Sequence, residues 1–195
     1  MTVLEDRIAM AESDNTSTLD EMFERLEKMP VPEGYKVEIV EGTVFMSPQR
    51  DTRWEIILDI VEQLRTKYPR KRLKSDVRID YPGHLNGFAT DVTAMAESAA
   101  KTQEGRWRFE DVEFVAEVIS KGTAANDYGP KKTAYALAEV SVYVIADPYQ
   151  GRCHIYTHPK GDDYATETKV AFGDDLDLTG TVIGLTLKTD EFPRD

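Results

Sequence analysis

The sequence predicts an α+β (α/β) protein: a mixed β-sheet flanked by helices, opened by an N-terminal helix and a β-hairpin. Three observations predict it. Short segments of strand-like alternation recur from residue 35 to residue 188. Two stretches place apolar residues at helical spacing behind capping-box residues. The most apolar segment, DVEFVAEVIS (111–120), is followed by a helix-like stretch and a second apolar strand, SVYVIAD (141–147), which makes 111–120 the central strand.

The elements follow in order. Residues 1–17 are polar without a clear period and read as a flexible N-terminal tail, leaving 18–195 as a single domain. Thr18 and Glu21 form a capping box, with Leu19, Met22, Phe23 and Leu26 at helical spacing and Pro30 and Pro32 ending the helix. YKVEIV (35–40) and TVFMS (43–47) flank Glu41-Gly42 as a hairpin. Thr52 and Glu55 form a second capping box, opening a helix whose apolar face is Trp54, Ile57, Leu58, Val61, Leu64 and Tyr68. LKSDVRIDY (73–81) and FATDVTAMA (88–96) read as one strand each, with 97–110 a surface connection. Asn126 or Asp127 caps a helix with Pro130 in its first turn. Further strands follow Pro148 and Gly151, near CHIYTH, 164–171 and 182–188.

Composition bounds the function. A chain of 195 residues can bury a core without disulfide or metal staples. The hydrophobic content of 41% and charged content of 31% are ordinary for a globular protein. The single cysteine, Cys153, excludes an internal disulfide and fits a reducing compartment. No signal-peptide pattern and no run of roughly 20 apolar residues stand in the chain, so the expectation is a cytoplasmic protein without a membrane span. The net charge of −12 counts against non-specific coating of nucleic acid. It leaves room for a local basic face, and residues 65–78 hold seven basic side chains against one acid. His84, His154 and His158 lack metal-ligand spacing and read as structural or surface groups.

The chemistry-bearing pattern is a pair of carboxylates inside apolar strands. Asp91 lies within FATDVTAM and Glu117 within FVAEVIS. On adjacent strands both can emerge on one face, and two close carboxylates need a cation between them. Oxygen donors of this kind suit Mg²⁺ or Mn²⁺, which lowers the pKa of bound water and stabilises charge on phosphate oxygen. A lysine beside such a pair would meet the developing negative charge.

Five ordered segments resemble the PD-(D/E)XK nuclease superfamily and, within it, the Uma-two family of putative restriction endonucleases. They are YKVEIVEGTVFMSP (35–48), TDVTAM (90–95), FVAEVISKGTAANDYGPKKTAYA (114–136), VSVYVIADPYQGRCHIY (140–156) and GLTLKTDEF (184–192). The resemblance implies a restriction-endonuclease-like fold and roles residue by residue. Asp91 and Glu117 would be metal ligands with the Val118 carbonyl as a third, and the cofactor Mg²⁺ or Mn²⁺. The third position of E-x-K is Ile119, so the lysine comes from the following helix, where Lys131 fits the spacing from Asp127. Lys132 is its neighbour and rival, and Lys121 shares the strand parity of Glu117. Tyr135 shares a helical face with Lys131. Glu38 matches an acid of the family's opening hairpin and would complete the site.

The chain also departs from the family pattern. Thr90 stands where a proline commonly precedes the first Asp, and Lys121 where a proline often follows the E-V-x-S serine. Arg53-Trp54 stands where the family often has a histidine. The resemblance implies hydrolysis of DNA to 5′-phosphate ends; cutting two strands needs two sites, which a homodimer would supply. The alternative is a catalytically inactive nuclease-like scaffold acting as a binding protein, which the acidic charge favours. Hydrolysis of another phosphate ester is a third reading.

Overall fold

The computed structural model describes residues 18–195; the tail expected over 1–17 lies outside the described residues. Helix α1 (Leu19–Glu27) opens on the predicted capping box, in which the Glu21 N–H donates to Thr18 Oγ1 (3.3 Å) and the Thr18 N–H to Glu21 Oε2 (2.9 Å). Its buried Met22 and Leu26 pack on Ile39 of a hairpin formed by β1 (Tyr35–Val40) and β2 (Thr43–Pro48). Glu41 and Gly42 join them with φ of 49° and 75°, the left-handed pair that matches strand twist in a two-residue turn.

Helix α2 (Asp51–Leu64) differs from the expectation. It starts before the proposed box, with Arg50 as N-cap and no side-chain capping bond. Its buried face is Arg53, Ile56, Ile57, Ile60 and Leu64, while Trp54 is 55% exposed. The isoleucines fix the face, and Arg53 shares it by its i, i+3, i+4 and i+7 spacing to Ile56, Ile57 and Ile60.

Two segments read as single strands divide between two sheets. Residues 73–81 become β3 (Leu73–Lys74) and β4 (Arg78–Tyr81), with Asp76 in the left-handed region (φ 52°) between them. Residues 88–96 become the end of β5 (Asn86–Ala89) and β6 (Val92–Met95), so Asp91 is at a crossing between sheets rather than mid-strand. Strand β7 (Val112–Val118) follows, then α3 (Ala124–Tyr128), α4 (Pro130–Leu137) and β8 (Val142–Asp147). Strands β9 (Arg152–Lys160), β10 (Asp163–Ala171), β11 (Leu176–Asp177) and β12 (Thr186–Leu187) complete the chain.

The large sheet has the order β10-β9-β8-β7-β6-β3, so the 111–120 segment is central as its composition predicts. Its β7–β8 pair is parallel, and its other pairs are antiparallel. A smaller antiparallel sheet has the order β2-β1-β5-β4, and β11 pairs with β12. One face of the large sheet buries Phe114, Ala116 and Val118 against α2 and the C-terminal segment. The opposite face carries Val115, Tyr143 and Ile145 beneath α4 and the smaller sheet. Among the described residues no helix is long and apolar enough to cross a membrane.

Candidate functional site

Where the two sheets meet, six elements deliver charged side chains to one buried cluster. The β6–β7 register sets Val92 opposite Ala116, which brings Asp91 beside Glu117. Alternation along β7 then turns Glu117 away from the α2 face and toward α4. Strand β1 contributes Lys36 and Glu38, two residues apart and therefore on one face. Helix α2 contributes Arg53, α3 contributes Asp127, and α4 contributes Lys131 and Tyr135.

Lys36 stands between the carboxylates. Its Nζ is 2.9 Å from Asp91 Oδ1, 3.3 Å from Glu117 Oε2 and 3.4 Å from Glu38 Oε2. Arg53 grips Asp91 as a fork: Nε donates to Oδ2 (3.1 Å) and Nη2 to Oδ1. The Val118 N–H also donates to Asp91 Oδ2 (2.8 Å). On the far side of Glu117, Oε1 accepts from the Tyr135 hydroxyl (2.7 Å) and pairs with Lys131 Nζ (2.6 Å). Lys131 also pairs with Asp127 (3.0 Å) and Glu38 (3.2 Å). Gly129, between α3 and α4, allows this close turn, since a Cβ there would come within 3.0 Å of the Ala125 carbonyl oxygen.

The electrostatics follow from burial and charge. Burial raises the Asp91 carboxyl, but Lys36 and Arg53 outweigh it and hold it well below the usual carboxylate range. Burial dominates at Glu117 and, with Asp91 and Glu38 nearby, pushes it up to about 7 despite Lys131 and Lys36. Asp127 is raised by burial, whereas in Glu38 Lys131 and Lys36 overcome burial and lower it. Burial opposes the charge on Lys131 and Lys36, and the surrounding carboxylates reverse that, raising both.

The structure therefore brings together Asp91, Glu117, Lys131, Glu38, Asp127, Tyr135 and the Val118 backbone. Two lysines lie outside the cluster. Lys132 turns the other way and pairs with Asp163 (2.8 Å), and Lys121 is exposed in the turn after β7. Asp127 is not a helix cap; it lies inside α3, whose N-cap is Thr123, and it is buried against Lys131.

Sequence reasoning missed Lys36 and Arg53. Both carried a signal: Lys36 shares strand parity with Glu38, and Arg53 has helical spacing to three isoleucines. The basic stretch 65–78 is partly consumed by the fold. Lys67 donates to the Val182 and Ile183 carbonyls, Arg72 pairs with Glu113, and Arg78 with Asp80 and Asp20. Arg65, Arg70 and Lys71 are exposed. His154 pairs with Glu167 (2.9 Å), away from the cluster.

Among the described residues no group of three or more His, Cys, Asp and Glu side chains is arranged to hold a metal ion. The donors at Asp91 and Glu117 are hard carboxylate oxygens, the kind Mg²⁺ uses one or two at a time with water completing its shell. They suit a divalent cation in donor chemistry, and the point between them is held by Lys36 Nζ.

These features define an α+β fold with a buried acid–base cluster at the junction of its sheets. Among solved structures the chain is similar to that of a putative nuclease belonging to DUF820 from Anabaena variabilis ATCC 29413. The TM-score is 0.69 at 14% identity, over 90% of this chain and 97% of that one. The chain belongs to the Uma2 family, whose model, described as putative restriction endonuclease, matches residues 20–190. No curated protein matches the chain.

Proposed function

We propose that this protein is a cytoplasmic, Mg²⁺- or Mn²⁺-dependent endonuclease that hydrolyses DNA phosphodiester bonds at the Asp91–Glu117 pair. The observation that carries this reading is the convergence of two carboxylates, Asp91 at the β5–β6 crossing and Glu117 on the neighbouring strand β7, on one cation position, marked by Lys36 Nζ at 2.9 and 3.3 Å. Family membership supports the reaction class. Asp91 and Glu117 would hold the metal, with the Val118 carbonyl as a third donor. The metal, when bound, supplies an acidified water and charge stabilisation at phosphate oxygen. Arg53 and the Val118 N–H fix the orientation of Asp91, and Tyr135 fixes that of Glu117. Lys131, already 2.6 Å from Glu117, is the cation positioned to meet negative charge on the phosphate. The products would carry 5′-phosphates, and a homodimer would place one site on each strand of a duplex.

A second reading is favoured by a specific observation: Lys36 and Arg53 already neutralise Asp91, both from within the chain. On that reading the cluster is a structural ion-pair network and the protein a nuclease-like scaffold that binds without cutting.

The discriminating experiment is a calorimetric Mn²⁺ titration of the wild-type chain beside Asp91→Asn and Glu117→Gln, each checked for native circular dichroism. Mn²⁺-dependent nicking of plasmid DNA is assayed in parallel. The nuclease reading expects binding and nicking in the wild type and the loss of both in either variant. Absence of saturable binding in the wild type, or equal binding in all three, would sink it in favour of the scaffold.

A further inference from the structure

We infer that Lys36 and a divalent cation are alternative occupants of one position, so that Lys36 serves as a built-in counter-ion which metal must displace. The inference rests on the metal-site reading above.

The atoms that Lys36 uses carry the case. Its ammonium lies between Asp91 Oδ1 and Glu117 Oε2. The outer oxygens of the two carboxylates are held by other groups: Asp91 Oδ2 by Arg53 Nε and the Val118 N–H, Glu117 Oε1 by Tyr135 and Lys131. Withdrawing Lys36 would therefore leave both carboxylates oriented, with their inner oxygens aimed at the vacated point. Arg53 Nη2 would remain on Oδ1, which can accept a second partner.

A lysine is suited to such an exchange where an arginine is not. Its ammonium is a compact point charge on a flexible stem, while the Arg53 fork is fixed in plane by two bonds to Asp91. Lys36 also has a second partner close by. Glu38, two residues along the same face of β1, is 3.4 Å away and can keep the displaced ammonium paired. An ammonium and a divalent ion cannot share the position, because like charges at contact distance repel strongly in a buried site. The free protein thus carries its own neutralising charge, and metal affinity is set by competition with it.

The test uses Lys36→Met and Lys36→Gln in the full chain, with Mn²⁺ as the probe and two readouts: dissociation constant by calorimetry, and melting temperature in EDTA against Mn²⁺. The neutral variants should melt lower than wild type in EDTA and regain more stability from Mn²⁺ than wild type does. They should also bind Mn²⁺ at least about ten-fold more tightly, since a competing charge has been removed. Lys36→Arg, which keeps the charge, should not gain affinity. If wild type binds Mn²⁺ through Asp91 and Glu117 and the neutral variants bind no tighter, the competition is overturned and the metal site stands. If only the neutral variants bind, the competition stands and the wild-type chain is not a metal enzyme. If none binds, or if the neutral variants stay unfolded in millimolar Mn²⁺, the inference is overturned.

Discussion

The two faces of β7 face opposite problems. On one, Phe114, Ala116 and Val118 meet the isoleucines of α2 in a wholly apolar layer. On the other, Glu117 sits next to Val115 on a face that ends in three cations, three further carboxylates and Tyr135. The apolar face is held by non-directional burial, which tolerates reshaping as long as volume is kept. The charged face depends on each charge keeping a partner. Each member has lost its water, and removing one leaves the rest uncompensated. A single strand thus carries a forgiving side and an exacting side, and the exacting side is the one that can carry chemistry.

The sharpest way to break that contrast is to compare Lys131→Met with Phe114→Ala. Both should cost about 3–5 kcal/mol, one by stranding buried carboxylates and the other by opening a cavity. The difference lies in their rescue. Adding Glu117→Gln to Lys131→Met should recover part of the loss, on the order of 1–3 kcal/mol, as a double-mutant cycle in urea would measure. The same second change should leave the cost of Phe114→Ala nearly additive.

A smaller effect separates the faces by pH. Glu117, ordinarily near 4.5, is raised to about 7 among Lys131, Lys36, Asp91, Glu38 and Tyr135. The folded state then holds a proton that the unfolded state has lost, so Glu117 takes stability away as pH rises from about 4.5 to about 7. Asp91 acts in the opposite sense but only in acid, below its ordinary 3.8. Melting temperatures of Glu117→Gln relative to wild type should therefore improve across pH 4.5 to 7. Phe114→Ala relative to wild type should run flat.

The smallest expected effect tests the exposed side of α2. Trp54→Ala should change stability by no more than about 0.5 kcal/mol, because the indole is 55% exposed. A loss of several kcal/mol in a urea melt would show that the helix face has been misplaced.

Much of this was legible in the sequence. The hairpin, the central strand and the strand–helix–strand order follow from alternation and residue type, while the pairing of Asp91 with Glu117 needed the family resemblance to make their segments neighbours. The errors share one cause. Sequence patterns report which side of an element is buried, not which sheet an element joins. FATDVTAM keeps its alternation across Thr90–Asp91 although β5 and β6 belong to different sheets. Size misled at Trp54, where a large apolar ring looked like core and the neighbouring arginine went inside instead. Lys36 was overlooked because a lysine in a hairpin is ordinarily solvated, and its burial depends on carboxylates 55 and 81 residues away.

Those separations bear on how the protein comes together. Lys36 meets Asp91 across 55 residues and Glu117 across 81, and Glu38 meets Lys131 across 93. No local segment can assemble the cluster; it requires the hairpin, the sheet crossing, the central strand and the helix after it to be in place together. Such distant pairings carry the greatest loop-closure cost and favour slow folding. Lys36 and Glu38 come from the smaller sheet, and their partners from the central strand, the crossing at Asp91 and α4. The cluster therefore ties the two sheets to each other, and it is whole only in the completed fold.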